Sequence, residues 1–136
     1  MKKDIYTVKG VVETIYDPAI RSVIVSWYDF SQFGILRPCL EAQVECVRED
    51  GAKMIIVDTR KAKGMLEQID QEWLGTNVFP VYEEYGVKAV ITIVPKSALT
   101  LLSAKQWQMT GSAFGVDFVE TQSFDTALEI VKQYMG

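Results

Sequence analysis

Met54-Ile55-Ile56-Val57-Asp58 is the stretch on which the architecture turns. Four apolar residues in a row, with no polar partner alternating between them, do not describe a strand with one wet face. They describe a strand covered on both sides, as in the interior of a parallel sheet. The residues before it agree. Leu36, Leu40, Val44 and Val47, with Cys39 and Cys46 beside them, recur at helical spacing, Pro38 fits only a first turn, and Gly51 supplies the stop. A helix over Pro38 to Glu49 therefore feeds the strand, after a loop from Ser31 to Arg37.

Upstream, Val11 to Tyr16 and Ile20 to Tyr28 form a hairpin around Asp17-Pro18-Ala19, because proline presets the turn dihedral and Asp can bond back to the backbone. Val23, Val25 and Trp27 make one face of its second strand apolar. Downstream comes a charged loop, Thr59 to Gly64, then a helical segment from Asp70, its expected N-cap, to Tyr85. Leu74, Val78, Val81 and Tyr85 form its stripe, Gly86 follows it, and Pro80 must kink or divide it. Lys88 to Val94 is another strand. Ser97 caps a helix carrying Leu99, Leu101, Leu102 and Met109 up to Gly111, a short strand surrounds Phe118-Val119, and Ser123 caps a last helix with Phe124, Leu128 and Val131 inward. The order β-β-α-β-α-β-α-β-α predicts a single α/β domain over residues 1–136, with a mixed sheet, a hairpin start and right-handed crossovers.

Composition narrows the function. With 136 residues, 49% of them hydrophobic and 24% charged, the chain can bury one core. A net charge of -4 opposes adhesion to nucleic acid or anionic membrane. The absence of histidine removes the commonest general base, the commonest transition-metal ligand and every Ser/His or Cys/His nucleophile pair. Cys39 and Cys46, seven residues apart on one helix, lie about 10 Å from each other, too far for a disulfide, and read as buried small hydrophobes. No apolar run follows Met1-Lys2-Lys3-Asp4, and none elsewhere reaches spanning length, so a cytoplasmic protein without stable membrane insertion is expected.

The element order, together with Met54-Ile55-Ile56-Val57-Asp58, Thr110-Gly111 closing the third helix, and Phe118-Val119 followed by Ser123, Ala127 and Leu128, resembles the STAS domain. That is the fold of bacterial anti-sigma-factor antagonists and of the cytoplasmic tails of sulfate transporters. The similarity runs from about Lys53 to Tyr134. In the family a partner kinase phosphorylates a serine in an Asp-Ser-Ser-Gly turn that opens the helix after the central strand. Here the counterpart is Ile69-Asp70-Gln71-Glu72-Trp73 after a longer loop, and neither serine is present. The phospho-switch does not carry over, and the divergent STAS group without phosphoserine, grouped loosely with CRAL-TRIO lipid-binding domains, is the nearest variant. The resemblance implies a regulatory, protein-binding module without cofactor or metal.

In an open α/β sheet, ligands bind beyond the C-terminal strand ends. Asp58, Arg60, Lys61, Lys63 and the Asp70 helix start belong there and could hold an anion, with Arg60 the best single candidate. The simpler and favoured reading is a solvated, charged loop, with Asp58 paired locally and Asp70 serving only as a cap. Trp27, Tyr28, Phe30, Trp73 and Phe79 could line an apolar pocket or partner surface, although core packing explains most of them. Trp73 lies beside its helical stripe, and an exposed Trp107 would offer a partner or homodimer contact. Glu83-Glu84 and Glu49-Asp50 point in different directions on helices and make no acid/base pair. Gly111-Ser112-Ala113-Phe114-Gly115 follows a helix and reads as a C-cap and turn.

Two functions are therefore expected in order. One is a non-enzymatic interaction module presenting the Asp70 helix and the Thr59 to Ile69 loop. The other is a binder of a small apolar or amphipathic anionic ligand between sheet and kinked helix, its head held by Arg60 or Lys63. An enzyme comes third, with no catalytic residue to name.

Overall fold

A computed structural model describes residues 1–32 and 34–136. The elements are β1 (Lys3–Val8), β2 (Val12–Asp17), β3 (Ser22–Trp27), α1 (Leu36–Asp50), β4 (Met54–Asp58), α2 (Gln68–Asn77), α3 (Phe79–Glu84), β5 (Ala89–Ile93), α4 (Ala98–Gly111), β6 (Asp117–Thr121) and α5 (Phe124–Met135). The sheet order is β1-β2-β3-β4-β5-β6. The first two pairings are antiparallel and the remaining three parallel, which makes an α/β fold with a mixed sheet, consistent with a STAS-like architecture. Residue 33, in the expected Ser31 to Arg37 loop, lies outside the described residues.

The apolar run of β4 divides as its reading requires. Ile55 belongs to the core beneath α1 to α4, while Met54 and Ile56 belong to a second core beneath α5. On β3, Val23, Val25 and Trp27 face the first core and Ile24 the second. The sheet is thus a central layer, and both of its faces are dry where the parallel strands run.

Caps follow the residue chemistry in several places. Ser97 and Ser123 accept the Thr100 and Thr126 backbone N–H groups, and Gly51 ends α1 at φ 74°. Four expectations need correction. A strand precedes the hairpin: β1 is an irregular edge strand, and the register shift between Asp4 and Tyr6, with adjacent Ile5 and Tyr6 both packed against the core, breaks the period-2 signal. Asp70 is not an N-cap, because Glu67 occupies that position and α2 begins at Gln68. Gly111 is not a C-cap glycine in left-handed geometry; it is the last residue of α4, and Ser112 follows in right-handed conformation.

The fourth concerns helix faces. The segment divides at Val78, with Pro80 in the first turn of α3 where no N–H is needed. The break resets the helical phase, so Leu74 and Val78 are followed into the core by Phe79 and Tyr82, while Tyr85 turns outward. On α4 the face is inverted. Trp107 is buried with Thr100, Ser103 and Ala104, whereas Leu99, Leu102 and Met109 are exposed.

Candidate functional site

The Asp58 to Leu66 loop leaves the C-terminal end of β4 and is pinned at every few residues. Asp58 accepts the Arg60 Nε at 3.0 Å, its Nη2 at 2.7 Å and its backbone N–H at 3.1 Å. Partial burial acts to raise the Asp58 pKa, but these bonds and the Arg60 charge outweigh it and hold the carboxyl below its ordinary range. The guanidinium fork that suits anion capture is therefore occupied two residues away. Thr59 is buried and donates its hydroxyl to the Ile93 carbonyl at 2.7 Å. Thr100 of α4 donates to the Gly64 carbonyl at 2.7 Å, and Ser103 accepts the Leu66 N–H at 2.8 Å.

Lys63 engages through its backbone. Its N–H donates to the Tyr28 carbonyl at 3.1 Å, and its carbonyl accepts the Phe30 N–H at 2.9 Å. The neighbouring Asp29 is held down to about 2 by the Ser31 hydroxyl, the Gln32 amide and the Ser31 backbone N–H. Gly64 has φ +80°, and a Cβ there would press on the Ser31 backbone nitrogen at 3.2 Å. The loop is thus a fixed shelf on α4 and the β3 exit, with its cations on the outside.

Asp70, in the first turn of α2, accepts the Arg37 Nε at 3.2 Å, and the same guanidinium lies 5.4 Å from the Trp73 ring centre. Arg37 is a residue the sequence did not single out. It joins α1 to α2, and Trp73 is half-buried against the core beside it.

Under α2 and α3 lies a cavity of about 50 Å³. Trp27, Phe30, Phe79 and Trp107 are among its lining residues, with Trp27 stacked on Phe30 at 4.7 Å. Tyr28, Trp73, Asp58, Arg60, Lys63 and Asp70 do not line it. Its principal polar contributors are Gln43 and Tyr82, also unforeseen. The Tyr82 hydroxyl donates to Gln43 Oε1 at 3.2 Å, Gln43 Nε2 lies 3.5 Å from the Cys39 Sγ, and Thr14 lies 3.4 Å from the same sulfur. Burial pushes the Tyr82 hydroxyl and both thiols up, Cys46 to about 12, which favours their protonated forms. The signal for Gln43 was available: it sits one turn beyond Cys39 on the buried stripe of α1.

A larger open cleft of about 680 Å³ adjoins the cavity and shares Phe30 and Leu36 with it. Arg37, Glu41, Met65, Glu67, Ile69 and Asp70 complete its main walls. The predicted residues thus separate into an ion-paired shelf (Asp58, Arg60, Lys63), an interhelix clasp (Asp70, Trp73) and a core wall (Trp27).

Comparison with protein-family models, curated proteins and solved structures found no match to the chain. No described helix is long and apolar enough to cross a membrane.

Proposed function

We propose that the protein is a non-enzymatic interaction module of STAS-like type, without the phosphoserine switch, whose docking surface is the loop and helix start at Thr59 to Asp70, extended by α4. The carrying observation is where the exposed apolar residues lie. Of seven large exposed hydrophobic residues among those described, Met65, Ile69, Leu99, Leu102 and Met109 belong to the loop, the start of α2 and α4. A concentration of exposed apolar residues on two segments joined by hydrogen bonds supports a contact surface there, whereas single exposed apolar residues are ordinary. The bonds from Thr100 and Ser103 to Gly64 and Leu66 hold the two segments together, which supports a preorganised surface. A complex isolated with the native chain should be lost in Ile69→Asp and retained in Glu13→Lys, an exposed position on β2 outside that surface, checked by pull-down with cross-link mapping to residues 65–70. A stable complex indifferent to Ile69→Asp and Leu102→Asp would overturn the proposal.

The break at Val78 and the cavity beneath it favour a second reading, the binding of a small apolar group. At roughly 30 Å³ for a water-sized group in a liquid, the cavity holds about two such groups, so only the end of a ligand fits. An anionic head would sit poorly in the adjoining cleft, where Glu41, Glu67 and Asp70 outnumber Arg37. Native mass spectrometry of gently purified protein should then show a bound small molecule that Val90→Ile, which fills the cavity wall, displaces. A clean apo mass for the native chain counts against this reading alone.

A further inference from the structure

We propose that the cleft between α1 and the Met65 to Asp70 segment receives a basic protein segment led by an apolar residue; this rests on the interaction-module reading and names the chemistry of its partner. The cleft has an apolar floor and an acidic rim. Phe30 and Leu36 lie buried at its base, and Met65 and Ile69, 39% and 61% exposed, present the apolar surface that a partner can reach. Glu41 and Glu67 stand on the rim from opposite sides, and neither pairs with a cation among the described residues. Among the described lining residues Arg37 is the single cation, and Asp70 pairs with it. The cations of the loop, Arg60, Lys61 and Lys63, do not line the cleft.

The acidic character continues beyond the rim. Glu41, Glu45 and Glu49 recur every four residues along the exposed face of α1 and border a second depression beside Trp73, with Arg48 between them turned over the Tyr85 ring at 5.8 Å. Eight residues of helix span about 12 Å, so three carboxylates form a ridge leading away from the apolar floor. An apolar side chain on Met65 and Ile69, followed by lysines or arginines against Glu41, Glu45 and Glu49, satisfies both halves at once. An acidic segment would meet like charge at each step.

The test uses two labelled peptides of equal length against the intact protein, one with a leucine followed by lysines spaced four apart, the other with glutamates in their place. Fluorescence anisotropy should report binding of the basic peptide only, weakened at least about tenfold when salt rises from about 50 to about 300 mM. Glu41→Lys/Glu67→Lys should weaken it as strongly, while Glu13→Lys/Glu84→Lys, equal in charge but distant from the cleft, should leave most of it. Equal binding of both peptides, no binding of either, or indifference to the cleft substitutions would overturn the inference. The broader interaction reading would survive any of these if the Ile69-dependent complex persists, and would fail separately if it does not.

Discussion

Gly111 shows how a single side chain's absence supports a layer of packing. It lies in helical conformation, so its need for glycine is not torsional; a Cβ at this position would fall within the Phe118 ring. Its neighbour Thr110 places a methyl 2.8 Å from where a Cβ on Gly75 of α2 would stand. The Thr-Gly pair that carries part of the STAS resemblance thus has a packing explanation here. Gly111→Ala should lower stability by up to about 2 kcal/mol, since overpacking of about 1–3 kcal/mol is offset by a helix-propensity gain of about 1 kcal/mol. Chemical denaturation reads the change, and a stabilised Gly111→Ala would show that Phe118 yields freely. The residue scale also explains why Arg60 was a natural candidate: a planar fork beside a strand end suits an anion, and only the coordinates reveal that Asp58 occupies it.

Among the elements, α4 is the one whose sequence pattern misleads. Leucines and a methionine at helical spacing read as a core stripe, yet Leu99 and Leu102 are each 55% exposed and Trp107 is 5% exposed. The inward face carries Thr100 and Ser103 because these hydroxyls close the loop from β4, and small residues admit α2 at short range. Trp107→Ala should cost about 3–5 kcal/mol and Leu102→Ala about 0.5 kcal/mol. Urea unfolding of the two variants checks the ordering, and the reverse order would return α4 to the face its apolar pattern suggests. Pro80 behaves differently from a mid-helix proline. It opens α3 after the break at Val78, and the change of phase brings Phe79 against Phe118 at 5.1 Å and Tyr82 onto Gln43.

For the whole molecule, the unbroken apolar run of β4, the turn at Asp17-Pro18 and the caps Ser97 and Ser123 were enough to establish an α/β fold with a parallel core. Those signals are local: a dry strand cannot alternate, and an N-cap serine acts within its own turn. The edge strand β1, the orientation of α4, the occupancy of Arg60 and the Arg37 clasp were decided by tertiary structure. Each depends on partners remote in the chain, as Arg37 on Asp70 or Thr100 on Gly64, and spacing along a sequence carries no record of which partner arrives. The proposed contact surface divides in the same way: the sequence marked the loop after the central strand, and folding alone placed the carboxylates of α1 across the cleft from it.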